Sequence, residues 1–196
     1  TMLSIAWMAQ LGALIARKKI SIVIPMGILM SGFALLGATL RDSNPQITHL
    51  MPVLKSPLLS IHVSLMMISY TLIGFITIIS LLSVILILFQ QNNEAIQNLT
   101  SLNQLLLYPA LFFMSAGIFI GAIWANVSWG RYWGWDPKEV WALITMLIYS
   151  LPLHRASLKI FQNPRFLNWY YIFAFLSVVI TYFGVNFILG GMHSYA

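Results

Sequence analysis

Leu58-Leu-Ser-Ile-His-Val-Ser-Leu-Met-Met-Ile-Ser-Tyr-Thr-Leu-Ile-Gly-Phe-Ile-Thr-Ile-Ile-Ser-Leu-Leu-Ser-Val-Ile-Leu-Ile-Leu-Phe89 decides the fold class. These 32 residues contain no Asp, Glu, Lys or Arg. A membrane-crossing helix needs about 20 mostly apolar residues, within a range of about 17–25. The stretch is longer than one crossing requires, so it predicts a helix that tilts or projects beyond the bilayer. Segments 20–40, 105–127 and 167–189 read as clean spans on either side of it. Segment 2–16 is a shorter one, and 139–161 is another with Pro152 expected to kink it near its end.

The whole chain agrees. Its 196 residues are 60% hydrophobic and 7% charged, whereas soluble domains carry roughly 45–50% apolar and about 25% charged residues. Too few charges are present to coat a water-facing globule, and 14% aromatic content opposes disorder. The predicted fold is therefore all-α: one polytopic integral membrane helix bundle over residues 1–196, with about six transmembrane helices. The first segment lacks a basic start and a small-residue cleavage site, so it reads as a span. Thr1 in place of an initiator Met is compatible with processing or with a longer parent chain. The absence of cysteine removes disulfide, thiolate-metal and thiol-redox chemistry. A net charge of +6 comes from basic residues scattered between spans, which offers no phosphate-tracking face for nucleic acid.

Six crossings place alternate loops on opposite sides. Arg17, Lys18, Lys19, Arg155, Lys159 and Arg165 share one side, while Arg41, Lys55, Arg131 and Lys138 share the other with Asp42, Asp136 and Glu139. The positive-inside rule puts the first group in the cytoplasm. Loop 41–57, the loop 128–139 and the C-terminal tail then lie outside, together with His62 and His193. Loop 90–104 is assigned to the inner side.

Within the outer loop, Trp129-Gly-Arg-Tyr-Trp-Gly-Trp-Asp-Pro-Lys-Glu139 concentrates Trp129, Tyr132, Trp133 and Trp135 in seven positions, with Trp124 and Trp141 nearby on the flanking helices. An interfacial belt spreads its aromatics over several helix ends. This cluster reads better as a flat platform for a large planar ligand. Gly130 and Gly134 permit the turns. Asp136-Pro-Lys-Glu139 is a capping box that starts the next helix, so neither carboxylate is assigned as a catalytic acid or base. Arg131 and Lys138 stand where they could pair with ligand carboxylates, or they are ordinary loop charges.

Ionisable groups in membrane spans are functional candidates by default. His62 and His193 on one face, beside an aromatic shelf, could supply both axial nitrogens of a haem iron. Zinc or copper normally asks for a third or fourth ligand, and none is evident. His49 in the outer loop is a fallback. His154 lies fifteen residues after Glu139, about 22 Å along a helix, at the inner half of the bilayer or its edge.

These residues carry a family resemblance. Segment 129–145, Trp-Gly-Arg-Tyr-Trp-Gly-Trp-Asp-Pro-Lys-Glu-Val-Trp-Ala-Leu-Ile-Thr, resembles the "WWD" signature of haem-handling proteins. The variant is similar to the CcsA (ResC) type of system II cytochrome c biogenesis, and differs from the CcmC and CcmF forms. Segment 56–70 resembles that family's first external-histidine helix. Phe183-Gly-Val-Asn and Gly191-Met-His-Ser-Tyr195 resemble its C-terminal external-histidine segment. The resemblance implies haem b as substrate, exported to the outer face and attached to Cys-X-X-Cys-His thiols of an apocytochrome c, that is, cytochrome c haem lyase or synthetase activity. It implies axial ligation by His62 and His193, and a loop site built from Trp129, Gly130, Arg131, Tyr132, Trp133, Gly134, Trp135, Asp136 and Lys138. His154 becomes a candidate iron ligand within the membrane. Its opposite ligand would lie on a CcsB (ResB) partner, separate or fused ahead of this chain. The implied location is the bacterial inner membrane, with the loop in the periplasm, or the thylakoid membrane, with the loop in the lumen. A CcmC-like haem-delivery protein and a non-haem transporter subunit are the alternatives.

Overall fold

The computed structural model describes residues 2–16, 23–39, 56–90 and 93–189. The described residues contain no strand. The helices are α1 Met2–Ala16, α2 Val23–Thr39, α3 Pro57–Leu88, α4 Asn93–Trp129, α5 Pro137–Ser150 and α6 Pro164–Val179. Two 3-10 turns, Leu151–His154 and Lys159–Gln162, separate α5 from α6, and a π-helical segment Ile180–Leu189 continues α6. Three helices among the described residues are long and apolar enough to cross a membrane: Pro57–Leu88, Asn93–Trp129 and Pro164–Val185. The chain is an all-α membrane bundle.

Side-chain bonds fix how the helices run. His62 Nδ1 meets the Gly117 carbonyl, the Ser69 hydroxyl donates to the Ala110 carbonyl, and Asn103 Nδ2 donates to the Ser80 hydroxyl. Ascending positions on α3 therefore face descending positions on α4, an antiparallel pair. The α5–α6 pair runs the same way: Thr145 meets Thr181, while the Tyr170 hydroxyl donates to the Ile148 carbonyl. The start of α3, the end of α4 and the start of α5 share one end of the bundle, called here the loop end. The 3-10 turns and the start of α6 lie at the other.

Large apolar side chains cover the outside. Leu105, Tyr108, Phe112, Phe119, Ile123 and Val127 form an exposed stripe at helical spacing on α4, as expected where the surrounding solvent is hydrocarbon. The opposite face of α4 buries Leu107, Ala110, Leu111 and Met114 against Met66, Ile73 and Ile76 of α3 and Tyr171 of α6. Five hydroxyls inside the spans are satisfied locally. Thr71, Thr77, Ser83, Thr100 and Ser115 each donate to the carbonyl four residues back, which meets the rule that polar groups in a bilayer find partners within the protein. One buried amide network joins three helices. Asn103 Nδ2 reaches Ser80 at 2.8 Å and Asn168 Oδ1 at 3.1 Å, and Asn168 Nδ2 reaches Thr100 at 2.9 Å.

Two expectations need correction. Residues 93–104 are helix and not loop: α4 begins at Asn93 and carries its first three turns ahead of the apolar stretch. Segment 139–161 is not a kinked span either. Helix α5 stops at Ser150 after 14 residues, about 21 Å at 1.5 Å per residue. Pro152 explains the stop, because it has no N–H to offer the Ile148 carbonyl. The Leu151 N–H and the Tyr170 hydroxyl take that carbonyl instead, the latter at 2.7 Å.

Candidate functional site

The loop between α4 and α5 is held by three backbone devices. Gly130, at φ +74°, closes α4 by donating its N–H to the Asn126 carbonyl at 2.9 Å, the usual use of glycine just past a helix end. Asp136 caps α5, with Pro137 in the first turn, and the reciprocal capping box with Glu139 is formed. The third device involves Glu139 again. Its Oε2 accepts N–H bonds from Gly134 at 2.8 Å and from Asp136 at 3.2 Å. One carboxylate oxygen thus clasps the residues on both sides of Trp135. Trp135 is left at φ +57°, a left-handed conformation that bulky residues rarely adopt.

The aromatics divide into two groups. Trp124 is 2% exposed and packs edge-to-face on Trp129, with ring centroids 4.8 Å apart. Trp124 is a core residue that supports Trp129. Trp133 and Trp135 form a second edge-to-face pair at 6.1 Å, and Trp135 is 74% exposed. Tyr132 is exposed beside them. The Arg131 side chain folds across Gly134, where an added Cβ would stand 3.2 Å from its Nε. Arg131 is exposed and Lys138 half-buried. The loop presents aromatic faces and cations outward, while its carboxylates turn inward to the backbone.

His62 sits on the same end of the bundle, half-buried at the start of α3. Its Nδ1 is 2.7 Å from the Gly117 carbonyl oxygen. A carbonyl can only accept, so Nδ1 carries the hydrogen of this bond. Metal-ligating imidazoles are commonly anchored on a backbone carbonyl through one ring nitrogen in this way. The ring lies over Gly121, where an added Cβ would come within 2.6 Å of Nδ1 and 2.7 Å of Cε1. Trp129 follows eight residues later, about 12 Å along the helix axis. The structure thus brings His62 and the loop to the same end of the bundle.

A family model described as cytochrome C assembly protein matches residues 1–193. The chain belongs to the cytochrome c assembly protein family. It is 39% identical over 201 residues to protein NrfI of Wolinella succinogenes, covering 100% of this chain and 22% of that protein. It is 34% identical over 202 residues to cytochrome c biogenesis protein CcsA of Chlamydomonas reinhardtii, covering 100% of this chain and 56% of that protein. CcsA of Guillardia theta is 35% identical over 201 residues, covering 89% of this chain and 65% of that protein. The chain spans less than two thirds of each of these relatives.

In this cytochrome c assembly protein, the remaining expected ligands fall in different places. His193 and His49 lie outside the described residues. His154 is exposed at the end of the first 3-10 turn, opposite the loop end. Its carbonyl accepts from the N–H groups of Ser157 and Leu158. Next to it, the Arg155 guanidinium donates to the Gln104 side chain of α4. A cavity of about 460 Å³ opens there, lined by Gln104, Tyr108, Leu153 and Arg155 among others. His154 is not on its wall. Among the described residues, no group of three or more His, Cys, Asp or Glu could hold a bare metal ion.

The sequence reading missed three features: the Glu139 clasp, the left-handed Trp135 and the glycines beneath His62. Only the last had a signal. Gly117-Ile-Phe-Ile-Gly121 is a small-xxx-small pattern, which lets helices approach closely in membranes.

Proposed function

We propose that this chain binds haem at the loop end of the bundle and takes part in its covalent attachment to apocytochrome c. The observation that carries the reading is the half-buried His62 imidazole, anchored through Nδ1 on the Gly117 carbonyl at the end that also carries the Trp-rich loop. Haem supplies the iron to be ligated and the vinyl groups that react with Cys-X-X-Cys-His thiols. The protein's share is to ligate, orient and shield. His62 gives one axial nitrogen, and His193 gives the other. Trp129, Trp133 and Trp135, with Tyr132, Gly130 and Gly134, offer the aromatic surface against which haem rests. Arg131 and Lys138 meet the carboxylates.

Asp136 and Glu139 are committed to capping and to the Glu139 clasp, which leaves orientation as the contribution to rate. Well-aligned groups can gain about 7–11 kcal/mol in that way. The loop end faces the periplasm or the thylakoid lumen, with Arg155, Lys159 and Arg165 at the cytoplasmic or stromal end as the positive-inside rule requires. There His154 is a second ligand position, completed by a CcsB-type partner.

The test is co-expression of the protein and its partner with a reporter apocytochrome, followed by haem staining of the denatured reporter. Wild type yields covalently stained reporter, and His62→Ala loses most of it. Equal staining in both sinks the reading. Haem bound by the wild-type protein with no staining of the reporter identifies a delivery protein instead.

A further inference from the structure

We propose that the cavity beside Arg155, at the end of the bundle opposite the tryptophan loop, is a binding site for the head group of an anionic phospholipid. Two elements build it. Helix α4 gives Gln104, Leu105 and Tyr108, and the turn after α5 gives Leu153, Arg155 and Ala156. The buried Leu107 and Pro152 close its floor. At about 460 Å³ it has room for far more than a water, whose share of the liquid is about 30 Å³. Its lining is amphipathic, with a guanidinium and an amide set beside leucines and a tyrosine ring.

Charge selects the ligand. The Arg155 guanidinium donates to the Gln104 side chain, a neutral amide, so no carboxylate meets its charge there. A guanidinium has five N–H donors in a planar fork, which suits it to phosphate. One of them serves Gln104, and the rest face the cavity side of the turn or solvent. Among the described residues, this end carries Arg155, Lys159 and Arg165 against one carboxylate, Glu94. Basic pockets between membrane helices bind anionic head groups. A zwitterionic head brings an ammonium with its phosphate, which these cations repel.

Depth and access favour a lipid over a dissolved phosphate. From Pro137, α5 rises about 21 Å over 14 residues, and the four residues of the 3-10 turn add about 8 Å. Arg155 follows directly, about 29 Å from the loop end, against about 30 Å for the hydrocarbon core. Along α4 the path from Gln104 to Trp129 is about 38 Å, within the roughly 40–45 Å that includes both head-group regions. Either measure puts the cavity at the level of lipid phosphates. Leu105 and Tyr108 are 65% and 64% exposed and begin the lipid-facing stripe of α4 that continues through Phe112. A lipid therefore enters sideways from the bilayer, with its chains along that stripe and its phosphate at Arg155. Bound there, it ties the turn that carries His154 to α4.

The experiment uses the full protein in neutral detergent, washed free of lipid. It is titrated with phosphatidylglycerol, phosphatidylcholine or glycerol 3-phosphate, and binding is read by native mass spectrometry and by Tm. Phosphatidylglycerol should bind wild type and raise its Tm, and phosphatidylcholine should bind more weakly. Arg155→Gln should weaken phosphatidylglycerol at least about fivefold, which is about 1 kcal/mol at 1.4 kcal/mol per decade, the worth of one basic residue near an anionic membrane surface. Ala156→Phe, which fills the cavity and keeps the charge, should weaken it as well. Lys159→Gln, outside the cavity wall, should bind as wild type does. Equal binding of the two lipids overturns the proposal, as does wild-type binding by Arg155→Gln. Equal weakening in Lys159→Gln and Arg155→Gln overturns it in favour of diffuse attraction to a basic surface. A full Tm shift from glycerol 3-phosphate alone overturns it in favour of a site for free phosphate. If Arg155→Gln does not accumulate, Ala156→Phe decides: weakened binding supports the cavity, and retained binding overturns it.

Discussion

Replacing Glu139 by alanine removes the clasp on the tryptophan loop without touching an aromatic ring. Two N–H bonds to one carboxylate oxygen disappear, from Gly134 at 2.8 Å and from Asp136 at 3.2 Å. Hydrogen bonds to charged groups are worth about 1.5–3 kcal/mol each, and the longer bond of a half-buried loop belongs at the low end, which gives about 3–4 kcal/mol together. Trp135 recovers part of this by leaving its left-handed conformation, a strain of about 1–3 kcal/mol. The net loss of local stability is then about 2 kcal/mol, or roughly thirtyfold in the opening equilibrium at 1.4 kcal/mol per decade. Hydrogen exchange measured by mass spectrometry on peptides covering 130–141 is the assay. Exchange of the 134 and 136 amides should quicken about thirtyfold in Glu139→Ala. Glu139→Gln should lie between, since its amide oxygen still accepts but carries no charge. The α3–α4 peptides should be unchanged. Unaltered exchange in the loop of Glu139→Ala would refute the claim that this carboxylate holds Trp135 in place.

Four further substitutions separate framework from site. Tyr170→Phe leaves the Ile148 carbonyl without its hydroxyl donor and should lower stability in detergent by about 1–2 kcal/mol. Adding Pro152→Ala restores an N–H for that carbonyl and should recover the loss, whereas an additive decline would contradict the explanation of where α5 ends. Trp124→Ala empties a fully buried site and should cost about 3–5 kcal/mol, seen as poor accumulation or a lowered Tm. Trp135→Ala, at an exposed ring, should leave Tm within a degree or two while weakening haem retention, and equal melting losses in both would contradict the division of the aromatics.

Much of this was legible in the sequence because hydropathy and capping are local properties. The apolar run at 58–89 specified a long helix, and α3 occupies Pro57–Leu88. Asp136-Pro-Lys-Glu139 specified a helix start, and α5 begins at Pro137. The first turns of α4 were hidden because Asn93, Glu94, Gln97, Asn98 and Gln104 make a polar surface. A hydropathy reading detects crossing length, not helix. Pro152 was visible, but whether a proline kinks or ends a helix depends on a partner for the freed carbonyl, and Tyr170 is 22 residues away from Ile148. The π-helical continuation of α6 and the left-handed Trp135 had no sequence signature at all. His62 was singled out as an ionisable group in a span. Its Nδ1 is anchored on a backbone oxygen 55 residues distant, which no local pattern encodes.

The most direct test of the central claim, that His62 ligates haem iron at the loop end, is the magnetic resonance spectrum of the oxidised, haem-loaded protein with its partner, compared with His62→Ala. The account predicts a low-spin ferric signal in wild type that turns high-spin when His62 is replaced. An identical low-spin signal in both proteins would contradict it.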